Sequence, residues 1–296
     1  MQTIQTPFYQ LEVGGAEGFL VYRGKDLAAR ALKGPVFELD GTPLPPEFSK
    51  VSLLSEEKLN GNVTEYRFGA AYAAHPEVTL TLVARTAEGS PVLKFRYALT
   101  GDGSHRLTKS NGEMLHYCAL SLAEEDALTE VRFSEFNELT HSFCMNEVPV
   151  EEHCFKHRFD AMGPLLAGSD GKESFLLAYE HGSQYPDAFL HYCFTPERGV
   201  ILAAKKGNYT AGTVISDRPF ETVWFDFGTV EGGIDELAAA FREFQLKYAT
   251  LNLESRKPYI FYNTWNYQER NKWWNRKAYL ADMDEARMLE EIETAH

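Results

Sequence analysis

The stretch VTLTLVARTAEGSPVLKFRYALTG, Val78–Gly101, decides the fold class. Leu93, Phe95, Tyr97 and Leu99 alternate with Lys94, Arg96 and Ala98, the period-two pattern of a strand with one buried face. The Thr/Val run before them has the same character, and AEGS between the two supplies turn residues, so the segment predicts a β-hairpin. Outward from it the style repeats in EVRFSEF, SFLLAYE, AFLHYCF, GVILAA and ETVWFDFG, punctuated by GSDGKES and TPERG. Many strands with short connections predict a mainly β protein, a large antiparallel β-sandwich over residues 1–230.

The period changes after FGTVEGG. In GGIDELAAAFREFQLKYATL, Ile234, Leu237, Phe241, Phe244 and Tyr248 recur at three-to-four spacing, with Asp235 and Glu236 in the first turn and Lys247 in the last. That pattern predicts an amphipathic connecting helix, which with the polar NLESRKP fills residues 231–256. Residues 257–296 then offer YIFYNTW, an apolar run suited to a strand buried on both faces, a long polar and aromatic loop, and a helix, DMDEARMLEEIETAH, with Asp282 or Asp284 as N-cap. Strand, loop and helix make one βα unit, and a parallel strand needs parallel neighbours. The apolar stripe Met288, Leu289, Ile292 and Ala295 runs up to His296 without a stop signal, so the expectation is a chain cut inside a larger α/β domain.

Composition narrows the function. A formal net charge of -14 without a compensating Lys/Arg cluster disfavours nucleic acid and anionic membrane surfaces as partners. No signal-peptide pattern opens the chain and no apolar run reaches membrane-spanning length, from which a cytoplasmic location is expected. Cys118, Cys144, Cys154 and Cys193 form no CxxC pair and are expected to be buried thiols. No GxSxG elbow, phosphate-binding loop or zinc-protease helix is present, and no cofactor or metal is expected. The nearest metal-like grouping, EEHCFKHRFD, would as a strand place His153 and His157 on one face and Cys154 on the other, which a closed zinc site does not tolerate without backbone bending. In YEHGSQYPD, Glu180, His181, Gln184 and Asp187 sit in a Gly/Pro loop that could reach a ligand or a neighbouring subunit, although a plain polar loop is the commoner outcome.

The order of a large β domain, PFETVWFDFGTVEGGIDELAAAFREF, RKPYIFYNTWN and an acidic-start helix resembles glycoside hydrolase family 36, the α-galactosidase (melibiase) family. The resemblance covers the whole chain in layout; its sharp motif is Tyr262-Asn263-Thr264-Trp265. It implies an N-terminal β-supersandwich followed by a connecting helix and the first βα unit of a (β/α)8 barrel. It also implies a galactoside or oligosaccharide substrate, retaining hydrolysis in the complete enzyme, and a homo-oligomer. Trp265 would take the place of the family's first-strand Trp at the barrel mouth, where an indole face suits the C–H face of a sugar. Asn263 would point the same way. Asn266 stands where many members carry an acid, which leaves substrate identity open, since an amide does not accept two hydroxyls as a carboxylate does.

The family's two catalytic carboxylates, set about 5–5.5 Å apart in retaining enzymes, come from later barrel strands, and none of their motifs occurs in this chain. Asp226 in VWFDFG is the nearest look-alike. Catalytic residues are therefore not expected here. Trp273 and Trp274, with Tyr267 and Tyr279, are either a sugar-stacking surface or the apolar underside of a lid. The alternative to a hydrolase fragment is a non-catalytic carbohydrate-binding or assembly module; a weaker third reading is a sugar epimerase or lyase using His and Tyr acid/base pairs.

Overall fold

The computed structural model describes all residues except 16–17, 110–114, 138, 140, 162, 181–189, 205–211, 253, 255–256, 259–264, 279–282 and 296. It divides into two compact units, Met1–Leu251 and Asn252–His296. The first unit is built on one long antiparallel sheet. Its strands lie in the order Ser142–Val150, Ala127–Asn137, Leu165–Ser169, Glu173–Tyr179, Phe225–Glu231, Leu93–Thr100, Thr79–Ala87, Val63–Tyr72 and Phe48–Leu59, with Phe220–Glu221 pairing beside Leu93–Thr100. The hairpin read from Val78–Gly101 is present, Phe95 opposite Ala84 and Tyr97 opposite Leu82.

Two four-stranded sheets pack with the large sheet in one core. One comprises Gln2–Gln5, Tyr9–Val13, Leu20–Gly24 and Ala29–Leu32; the other comprises Leu115–Ser121, Gly199–Ala204, His191–Thr195 and Asp160–Ala161. Aromatic contacts join these layers. Tyr22 meets Phe227 edge-on at 5.2 Å between ring centroids, Tyr117 meets Phe225 at 5.3 Å, and Tyr192 meets Tyr179 at 5.9 Å. Such offset and edge-to-face pairs add to the stabilisation from burial. The hydroxyl of Tyr192 escapes an unsatisfied burial by donating to the Leu177 carbonyl at 2.7 Å.

The helix Ile234–Phe244 follows the central strand directly and forms a second core with residues of the large sheet. Leu237 and Phe244 are buried with Val92, Leu165, Ala167, Leu176 and Ala178, and Phe241 and Tyr248 pack against the same cluster. At its start the Glu236 carboxylate accepts the Gly233 N–H at 2.8 Å, satisfying one of the donors that a helix leaves open. Gly232, at φ +102, makes the reversal from strand to helix that a side-chain-bearing residue resists. Tyr248 reaches the AEGS turn, where a Cβ on Gly89 would lie 2.2 Å from its hydroxyl.

Asn252–His296 contributes two described helices, Trp265–Trp273 and Glu285–Ala295. The expected strand YIFYNT lies outside the described residues. The expected loop after Trp265 is instead helical. Gln268, Glu269, Arg270 and Lys272 are good helix formers, and Glu269 pairs with Trp273 and Arg270 with Trp274 at i, i+4 spacing. Asp284 caps the last helix as read, accepting the Arg287 N–H at 2.8 Å. Leu289 and Ile292 of its apolar stripe are exposed.

Phe225 is wholly buried among Phe95, Tyr97 and Tyr117. Phe225→Ala is expected to cost about 3–5 kcal/mol. Urea unfolding should show a lower midpoint at unchanged slope; an unchanged midpoint would contradict this core.

Candidate functional site

The alternation in Val78–Gly101 predicts one solvent face for the hairpin, yet Lys94 on that face is only 4% exposed. The register explains what covers it. Glu65, Arg85, Lys94 and Asp226 lie side by side across four adjacent strands, a transverse row of charges on the sheet. The indole of Trp224 lies beneath three cations of this region, at 4.3 Å from Arg85, 4.7 Å from Arg96 and 5.2 Å from Lys94. Carboxylates balance them: Glu65 accepts from Arg85 at 2.8 Å and pairs with Arg67 at 2.7 Å, Glu221 binds Arg96 through both oxygens, and Glu180 accepts from the Lys94 ammonium. Glu65 and Lys94 are the buried members, and removing the partners of either leaves an enclosed charge uncompensated, which costs more than a surface ion pair contributes.

Asp226 is the exception to this balance. It is 1% exposed, and among the described residues its Oδ1 has no hydrogen-bond partner. Burial pushes its carboxyl up to about 7, with the Lys94 ammonium pulling it down and Glu180 pushing it up. Near neutral pH it is therefore divided between a donor and an acceptor form. Sequence reading treated Asp226 only as a look-alike of a catalytic carboxylate; the signal for its burial was an acid set inside the aromatic run VWFDF.

Glu180 opens the YEHGSQYPD loop, and its N–H donates to the Trp224 carbonyl at 2.8 Å, so the root of that loop is fixed on the charge cluster. His181 and Gln184 themselves lie outside the described residues. The EEHCFKHRFD segment is a short helix, Glu152–Lys156, rather than a strand. Glu152 in its first turn and Lys156 in its last favour the helix, and Phe155 is buried beneath the Arg198 guanidinium at 5.0 Å.

In the second unit Trp265 is the first residue of its helix rather than the end of a strand. Trp265, Glu269 and Trp273 lie within one stripe of that helix, Trp265 and Trp273 separated by roughly 12 Å of rise. The indole N–H of Trp273 donates to Glu269 at 2.7 Å, and Lys272 lies 4.9 Å from its ring centre. The three tryptophans expose 56% (Trp265), 65% (Trp273) and 76% (Trp274) of their surface. Asn266 is on the same helix, and Asn263 lies outside the described residues. A residue missed in the sequence is Asn271, fully buried, whose side-chain oxygen accepts from Asn275 at 2.9 Å and whose carbonyl accepts the Lys277 N–H at 2.9 Å. The arrangement exposes flat indole faces with the Glu269 carboxylate beside one of them.

Neither a protein-family model nor a curated protein matches the sequence. Solved structures do. The chain is similar to a variant of the glycoside hydrolase family 36 α-galactosidase of Geobacillus stearothermophilus in complex with stachyose, at TM-score 0.58 and 9% identity over 88% of this chain and 45% of that one. It is also similar to the α-galactosidase of Lactobacillus brevis (TM-score 0.57, 9% identity, 83% and 41%). A third is the α-N-acetylgalactosaminidase of Bifidobacterium bifidum in complex with GalNAc (TM-score 0.51, 9% identity, 82% and 38%). At these identities the likeness is one of fold, and it bears out the family 36-like, mainly β architecture. The chain spans less than half the length of each of these structures. Among the described residues, no helix is long and apolar enough to cross a membrane.

The raised Asp226 carboxyl makes stability depend on pH. An unfolded Asp titrates near ~3.9, so the folded chain retains a proton that the unfolded chain has lost. This contribution is complete below the unfolded value and is lost as pH rises through the folded value of about 7. Asp226→Asn cannot ionise, and its urea midpoint is expected to gain on that of the parent as pH rises from roughly 5 to 8. Parallel pH profiles for the two proteins would contradict the assignment.

Proposed function

We propose that this chain is the β-supersandwich-bearing part of a glycoside hydrolase acting on α-galactosides. Residues 1–230 would form the supersandwich, 231–256 the connecting helix and linker, and 257–296 the first βα unit of a catalytic barrel. The observation that carries this reading is the likeness of fold to family 36 α-galactosidases, variants of one of them solved with stachyose and with raffinose. The exposed Leu289 and Ile292 support it, since a crossover helix lays such a stripe on its sheet.

In this reading Trp265 contacts the sugar, its exposed indole stacking on a C–H face, with Asn263 and Asn266 near the same ring. Trp273 extends the aromatic stripe that begins at Trp265, and Glu269 holds the Trp273 indole in place. The pair of carboxylates required for retaining hydrolysis is not supplied by this chain. Asp226 does not take that role, because its neighbour across the strands is a lysine already bonded to Glu180 and its side chain is enclosed.

The exposure of all three tryptophans of the second unit favours one other reading, a non-catalytic carbohydrate-binding module. Titrating melibiose, raffinose and galactose against tryptophan fluorescence, and assaying an aryl α-galactoside, tests both. Saturable binding without turnover is expected, with Trp265→Ala weakening binding about tenfold or more, a loss of ~1.4 kcal/mol. Robust hydrolysis by the 296-residue chain would overturn the view that the carboxylates lie elsewhere. Equal binding by Trp265→Ala would remove Trp265 from the sugar site.

A further inference from the structure

We propose that His75, Glu77 and His105 form a binding site for a zinc-like divalent transition-metal ion, with Asp40 as the carboxylate that orients His105. The ligands are too dispersed for spacing to reveal them. His75 and Glu77 flank Pro76 between the strands Val63–Tyr72 and Thr79–Ala87. His105 begins the two-residue strand His105–Arg106, and Asp40 occupies the tight turn between Phe37–Leu39 and Thr42–Leu44. The fold brings these three segments together.

The geometry brings both imidazoles onto one carboxylate oxygen of Glu77. One donor atom from each of His75, Glu77 and His105 lies within 4.8 Å of the other two. His75 Nδ1 is 3.1 Å from Glu77 Oε1, and His105 Nε2 is 2.6 Å from the same oxygen. Ligands about 2.0–2.2 Å from a tetrahedral zinc are separated by about 3.3 Å, so opening these contacts by less than an ångström admits an ion. The two imidazoles are already edge to face, with ring centres 4.9 Å apart.

Asp40 fixes which nitrogen of His105 is offered. Its Oδ2 lies 2.6 Å from His105 Nδ1, while its Oδ1 accepts the Arg106 N–H at 3.1 Å. His105 Nε2 faces Glu77 Oε1 as Nδ1 faces Asp40, so the ring is gripped between two carboxylates, and a metal ion would replace the proton that Nε2 otherwise shares with Glu77. A metal-bound histidine that gives its other N–H to a carboxylate is the usual outer support of such a site. All three ligand side chains are part-exposed, leaving a position open to water as the fourth ligand. The hard oxygen set of calcium and magnesium does not fit two imidazoles and one carboxylate, which suit zinc, nickel or cobalt.

The site lies in the first unit, Met1–Leu251. Its effect would be to clip three loop segments together. The test uses the full chain without a histidine tag, stripped by chelator. Isothermal titration with Zn2+ is expected to show one ion per chain with micromolar or tighter affinity, and Co2+ should give the visible absorption of a four- or five-coordinate site. Glu77→Gln and His105→Gln are expected to weaken Zn2+ binding at least thirtyfold, and Asp40→Asn about tenfold to a hundredfold. Near-UV circular dichroism checks that the variants remain folded, and zinc should raise the thermal midpoint of the parent but not of Glu77→Gln. No binding below about 1 mM, or equal binding by parent and Glu77→Gln, would overturn the proposal: a proton would then be the cation shared by these groups.

Discussion

The structure depends on the strand Phe225–Glu231 being buried on both sides. Phe225 and Phe227 enter the aromatic core from one face, while Asp226 between them faces Lys94 across the other. A strand with two covered faces cannot slip by one residue, because the slip would drive Asp226 into the Phe95–Tyr117 cluster and Phe225 into a ring of charges. Burial of unlike chemistry on opposite faces thus fixes register for the strands on either side of it.

The β architecture was legible because period two is a consequence of the pleat itself, and nothing in the tertiary structure overrides it. Leu93, Phe95, Tyr97 and Leu99 are all in the core. The connecting helix was legible for the corresponding reason, with Leu237 and Phe244 on the buried stripe. Lys94 was misread as solvent-facing because alternation reports which residues share a face, not what covers that face. Trp224, the residue that covers it, is more than a hundred positions away in sequence. The helix after Trp265 was hidden by its aromatics, which dilute the helix-forming character of Gln268–Lys272, and by the lack of any apolar period along it.

The candidate sites divide along the same line. Trp265 was singled out from a local motif, whereas the charge cluster around Trp224 and the His75–Glu77–His105 grouping are products of topology. Each draws on three or more segments that only the sheet brings together. Sequence spacing is informative for sites built on one element and silent for sites built between elements.

The position of Phe225–Glu231 in the chain also governs assembly during synthesis. Phe48–Leu59 through Leu93–Thr100 can close as one meander, and Ala127–Asn137 through Glu173–Tyr179 as a second group in which Ala127–Asn137 lies between Ser142–Val150 and Leu165–Ser169. The strand that joins these halves is the last of the large sheet to be made. Until it emerges, Leu93–Thr100 and Glu173–Tyr179 are open edges, each with apolar side chains and unpaired backbone groups. A nascent chain therefore passes through a stage with two sticky half-sheets, whose hazard is pairing with each other or with a neighbouring chain. The helix Ile234–Phe244 is made next and covers the joined sheet, Leu237 and Phe244 packing with Leu165, Ala167 and Leu176, so the segment that protects the join follows it directly in the chain.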